Sequence, residues 1–114
     1  MKNLAEFKKF LKTIEGNPEK QVILTRETKT FYAPSHPGFK FYPAGCIKRE
    51  VLEPSYISIV ETNSFARKTE RGDSWFEFGS GKNWKFETNT ATYAETYGRE
   101  GDHTTTTTLE YHFI

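Results

Sequence analysis

Two periods divide the chain. Leu4, Phe7, Phe10, Leu11 and Ile14 recur at steps of three and four, which places them on one stripe of an α-helix. The spacing predicts an amphipathic helix over residues 3–15, with Asn3 as its cap and Glu6 three residues on, as in a capping box. Gly16 ends it and Pro18 prevents continuation. Beyond residue 20 the period falls to two, the signature of strands. Gln21–Thr25 and Lys29–Tyr32 read as a hairpin about Arg26-Glu27-Thr28. Residues 33–38, with Pro34, Pro37 and Gly38, read as a loop. Phe39–Tyr42 reads as a short strand, followed by a turn at Pro43-Ala44-Gly45.

Further strands are expected at Ile47–Leu52 and at Ser55–Glu61. Phe65–Thr69 is expected to pair with Ser74–Phe78 across Glu70–Asp73, with Phe65 opposite Phe78. Thr90–Tyr97 and Thr104–Phe113 flank Gly98–Asp102, with Leu109, Tyr111 and Phe113 inward. The run Thr104–Thr108 fits a continuous strand, because threonine favours strands. The most conspicuous pattern is Ser74–Phe78, then Gly79-Ser80-Gly81-Lys82-Asn83, then Trp84–Glu87. As a hairpin it puts Phe78 opposite Trp84, Phe76 opposite Phe86 and Glu77 opposite Lys85. Trp75 then falls on the charged side. The fold class that follows is α+β: an N-terminal helix, then a strongly bent antiparallel sheet or small open barrel of about six to eight strands, in one domain of 114 residues.

Composition sharpens this picture. Ten Phe, six Tyr and two Trp point to a core built from rings. The formal net charge is +1, short of the basic footprint usual in nucleic-acid binders. Lys and Arg concentrate before residue 51 and acids after it, a weak sign of a charged face. The single Cys46 makes no internal disulfide, which suits a reducing compartment. With no signal-like or membrane-spanning segment in the sequence, the expectation is a cytoplasmic protein without membrane contact.

Chemical motifs are sparse. Gly79-Ser80-Gly81-Lys82 carries part of a phosphate loop, but the pattern needs glycine where Phe76 stands and Ser or Thr where Asn83 stands. Asp102-His103 offers two metal ligands or an acid–base pair, and reads better as a polar hairpin end; His36 is in a loop and His112 on the opposite strand face from His103. A catalytic reading would need a pocket around Asp73, Glu77 and His103. No cofactor is implied. For nucleic acid the candidates are Lys40, Lys48, Arg49, Arg67 and Lys68, interleaved with rings on which bases could stack. For a protein partner they are Trp75, an aromatic anchor if exposed, and the helix flank Lys8, Lys9 and Lys12. An open sheet edge could also pair two copies into a homodimer.

The stretch Arg49–Val51 through Tyr56–Phe65, then Ser74-Trp75, resembles small uncharacterised proteins of bacteriophages and bacterial mobile elements. So do the N-terminal Leu4, Phe7 and Leu11 and the closing Leu109–Phe113. The threonine run and the Gly79–Asn83 loop depart from it. The resemblance implies a setting rather than a site: a non-enzymatic binding module acting on a host or phage protein, including defence systems, with a DNA- or RNA-binding accessory protein as the alternative.

Overall fold

The computed structural model describes residues 1–99 and 101–114. Helix α1 spans Leu4–Ile14. The Asn3 side chain accepts from the Glu6 backbone N–H at 2.9 Å. The Glu6 carboxylate reaches back past the cap to the Lys2 N–H at 2.6 Å, so the capping box is displaced by one residue. Gly16 follows with φ +74°, a conformation that costs glycine little.

Eight antiparallel strands follow: β1 Gln21–Tyr32, β2 Cys46–Val51, β3 Ser55–Val60, β4 Ser64–Thr69, β5 Gly72–Glu77, β6 Trp84–Phe86, β7 Thr90–Arg99 and β8 His103–Phe113. They form one sheet in the order β5-β4-β3-β1-β8-β7-β6, with β2 also on β1. Both β2 and β3 use the same side of β1: β3 opposes Gln21–Val22, and β2 opposes Thr25–Thr30. Leu52–Pro54 joins them, and proline there ends the ladder.

Three expectations are corrected. Ser74–Phe78 and Trp84–Glu87 do not form a hairpin; β5 and β6 are the two ends of the strand order. The sheet curls until these ends approach, and Phe76 meets Trp84 at 5.9 Å and Tyr93 at 4.9 Å. The Trp84 indole N–H donates to Phe78 O at 2.7 Å. The rings therefore cluster as expected, through curl instead of direct pairing, and Glu77 opposes Ser64 while Lys85 opposes Thr92. Second, β1 runs unbroken through Arg26-Glu27-Thr28, which contains no glycine, proline or asparagine to turn the chain. Third, Phe39–Tyr42 is no strand: Pro37–Lys40 forms a 3-10 turn, which proline opens and Gly38 permits. A smaller shift puts Phe65 opposite Phe76, two residues from the expected register. The last hairpin holds, with longer strands; Glu100 of its loop lies outside the described residues.

The core lies where α1 plugs the curled sheet. Phe7 is fully buried among Trp84, Phe86, Phe113, Phe65 and Phe78, with ring centroids 5.0–6.1 Å away. Val22, Leu24, Ile57, Tyr111 and Leu11 complete it.

This core fills only one end of the molecule. The extents are 49 × 28 × 22 Å and the radius of gyration is 16.3 Å, against about 13 Å for a compact chain of this length. The excess is an arm: the distal halves of β1, β8 and β7, together with β2, run on past the core as a four-stranded sheet in the order β2-β1-β8-β7.

Candidate functional site

Register assigns every arm residue to a face. Val22, Leu24, Tyr111 and Phe113 face the core, so the same inner face carries Arg26, Thr28, Thr30, Thr105, Thr107, Lys48 and Glu50 farther out. The outer face carries Glu27, Lys29, Phe31, Ile47, Arg49, Val51 and Thr104, Thr106 and Thr108. The threonines thus split between the two faces. Those on β1 and β8 meet across the ladder, with Thr30 and Thr105 hydroxyls 3.3 Å apart.

The outer face exposes apolar side chains along β2, Ile47 and Val51 on either side of Arg49, with Phe31 of β1 near the Ile47 end. Val51 is 74% exposed, Ile47 56% and Phe31 49%. Gly45 makes the Phe31 end possible: its φ is +89°, and a Cβ there would stand 2.6 Å from Phe31 Cδ1. The ring therefore lies against bare backbone. Beside these apolar side chains, Glu27 bridges Arg49 and Lys29, and both cations hold its carboxyl below the usual glutamate range. On the inner face Glu50 bridges Lys48 and Arg26, which hold its pKa down to about 2. Phe41 and Tyr42, in the loop before β2, are also exposed.

At the arm tip, Asp102 joins two histidines. His103 Nδ1 lies 2.9 Å from Asp102 Oδ2, and His36 Nε2 lies 3.7 Å from Oδ1. His103 chiefly, then His36 and Arg99, hold the Asp102 carboxyl below its usual range. One donor atom from each of His36, Asp102 and His103 lies within 4.8 Å of the others. His36 Nδ1, however, accepts the Gly38 backbone N–H at 2.8 Å. The neutral ring therefore carries its proton on Nε2, the nitrogen facing Asp102, where a metal would need a free lone pair. The arrangement serves instead as a clasp. Ala33 N–H donates to Asp102 O at 2.7 Å, and Tyr32 packs on the His36 ring at 4.7 Å, so the loop after β1 is tied to the β7–β8 turn.

The five candidate nucleic-acid residues do not share one face. Lys40 is exposed at the end of the 3-10 turn. Lys48 and Arg49 are adjacent on β2 and so point to opposite faces. Arg67 is buried, donates to Ser55 Oγ at 3.0 Å, and has its pKa lowered by desolvation above all. Lys68 is on the opposite face of β4, 3.9 Å from Asp73.

The partner candidates lie on the body. Trp75 is half exposed, opposite Ala66. Lys8 donates to Thr62 O at 2.9 Å and sits 4.9 Å from the Phe78 ring centroid. Lys12 pairs with Glu15, and Lys9 is exposed. Asp73 and Glu77 lie on β5, away from His103 at the arm tip, and Asp73 accepts from Ser58 Oγ at 2.9 Å. Sequence reasoning did not single out Ile47 and Val51, and took Phe31 only as one of the rings interleaved with the basic residues. The available signal was the run Arg26–Thr30, polar at every position: a strand polar on both faces has no core to cover.

Among the described residues, no helix is long and apolar enough to cross a membrane. No family model, curated protein or solved structure matches the chain.

Proposed function

We propose that this chain is a non-enzymatic protein-binding module that docks a partner on the outer face of its arm. The observation that carries the reading is the set Phe31, Ile47 and Val51, exposed on β2 and the distal half of β1, which contribute no buried side chain to the core. Apolar side chains clustered on a rigid, hydrogen-bonded extension mark interaction surfaces. The charged neighbours are already neutralised by one another, which limits the desolvation penalty when the face is covered. The resemblance to small phage and mobile-element proteins supports a host or phage protein as the partner, a defence component among the candidates.

The test compares capture of binding partners by the native chain and by a variant carrying Phe31→Ser, Ile47→Ser and Val51→Ser, alongside a Trp75→Ser control. Circular dichroism of each variant separates lost capture from lost folding. Loss of capture with the arm variant alone supports the reading. Capture lost only with Trp75→Ser overturns it. Binding of labelled oligonucleotides that weakens steeply with salt would replace it with the nucleic-acid alternative.

A further inference from the structure

We propose that a second copy of this chain pairs with the free edge of β2, antiparallel and centred on Arg49, joining two arms into one continuous sheet. The inference begins with backbone phase. The Leu52 N–H donates to Leu24 O at 2.9 Å, and the β1–β2 register places Arg26 opposite Glu50 and Thr28 opposite Lys48. Backbone bonding alternates along an antiparallel strand. Cys46, Lys48 and Glu50 therefore turn their N–H and C=O groups toward β1, and Ile47, Arg49 and Val51 turn theirs outward. Among the described residues no strand takes up that outer side, and β2 pairs only with β1.

A two-fold axis normal to the sheet keeps each face continuous, so residues of like parity must oppose one another. Centring on Lys48 sets that charge against itself and Glu50 against Cys46, and centring on Glu50 sets that charge against itself and Lys48 against Leu52, so neither gives an opposite-charge pair across the axis. Centring on Arg49 sets Ile47 against Val51 of the second copy, twice, on the outer face. On the inner face it sets Lys48 against Glu50 of the second copy, again twice. Only Arg49 meets its own kind, and each Arg49 is already bonded to Glu27. The self-complementary edge is thus paired in hydrogen bonds, apolar contacts and charge at once.

The body is cut back where the second strand would run. In this register Gly45 and Cys46 of the second copy come beside Glu53 and Leu52, where a cleft of about 580 Å³ opens between Val51–Glu53 and the β4–β5 turn. The arm's other open edge, on β7 beyond Ala94, is less regular. The Asn83 amide occupies Ala94 O at 3.0 Å, and Gly98 has φ +152°. A six-residue strand pair is smaller than a standard interface, so association depends on concentration. The dimer shares Ile47 and Val51 with the partner-docking reading above but does not rest on it: sedimentation and register-specific cross-linking report the edge, and partner capture reports the outer face.

Sedimentation equilibrium of the full chain over a wide concentration range gives the mass, and cross-linking gives the register. In a Cys46→Ser background, Arg49→Cys brings two thiols to the axis, with Cα atoms about 5.5 Å apart, inside the disulfide window. Ile47→Cys leaves its two copies about 14 Å apart along the strands. The expected result is a disulfide dimer from Arg49→Cys and none from Ile47→Cys. Lys48→Glu alone and Glu50→Lys alone should each weaken self-association by at least about tenfold. Mixed together they should pair, because each then meets the opposite charge. Circular dichroism of each variant separates lost pairing from lost folding. A monomer at every concentration overturns the proposal, as does cross-linking through Ile47→Cys or through Tyr97→Cys on β7 in place of Arg49→Cys. A monomeric chain that loses partner capture on Arg49→Pro, which removes one outward N–H, assigns the edge to a partner strand and also overturns it.

Discussion

Replacing Phe7 by alanine removes the plug of the curled sheet. Phe7 is fully buried and touches five rings from β4, β6, β8 and the segment after β5, the nearest centroid being Trp84 at 5.0 Å. Truncating a buried phenylalanine costs about 3–5 kcal/mol. Three of these contacts are edge-on, two of them near perpendicular at 84° and 89°, and such pairs add about 0.5–1.5 kcal/mol each beyond area burial. The surrounding rings are held by strands and cannot collapse freely into the void. The loss should therefore sit near the top of the range, at about 4–5 kcal/mol. A domain of this length has roughly 6–17 kcal/mol in total, so the loss removes between about a quarter and most of the stability. Guanidinium unfolding followed by tryptophan fluorescence and far-UV circular dichroism measures the change. Phe10→Ala is the control: it is only half-buried and its one close ring is Phe113 at 5.0 Å, so about 1–2 kcal/mol is expected. A Phe7→Ala loss below about 1.5 kcal/mol, or one no larger than that of Phe10→Ala, would refute the view that α1 closes the sheet through this side chain.

Gly45→Ala should destabilise by about 1–3 kcal/mol, because its φ is +89° and the new Cβ would meet both Phe31 and the Thr30 carbonyl; neutral equilibrium unfolding would contradict the packing of Phe31 on that backbone. Arg67→Ala should cost about 2 kcal/mol through lost packing and the broken Ser55 bond without altering oligonucleotide binding, and an unchanged denaturation midpoint would count against a structural role. Glu50, Glu27 and Asp102 all have folded pKa values below their ordinary ones, so their contribution is complete above the unfolded carboxylate range and is lost as pH falls through the folded values, for Glu50 toward about 2. Melting temperature should fall with acid over that window, and Glu50→Gln should flatten the fall; an identical pH profile in the variant would show that the bridge to Lys48 and Arg26 contributes nothing.

Local pattern revealed the elements more clearly than their neighbours. The stripe from Leu4 to Ile14 identifies α1 because a helix buries one face, and Asn3 and Gly16 bound it with chemistry readable in order. Alternation at Leu109, Tyr111 and Phe113 likewise identifies the inner face of β8. The misreading of Ser74–Glu87 as a hairpin has a definite cause: two aromatic strands separated by Gly79–Asn83 satisfy hairpin rules locally, while the curl that sends them to opposite ends of the strand order depends on β1 and β8 pairing across most of the chain. Exposure was hidden for a similar reason. Ile47 and Val51 alternate with polar residues as Ile57 does, and only the end of the core distinguishes a covered strand from one standing in water.

Because β1 and β8 pass without a break from body to arm, the two regions share their longest ladder. Opening the far end should proceed as a zipper from the His36–Asp102–His103 clasp inward, with amide exchange slowing residue by residue toward Leu24 and Tyr111. A ligand that clamps the tip would then restrain motion along both strands at once, and its grip would be felt as slower exchange well inside the aromatic interior.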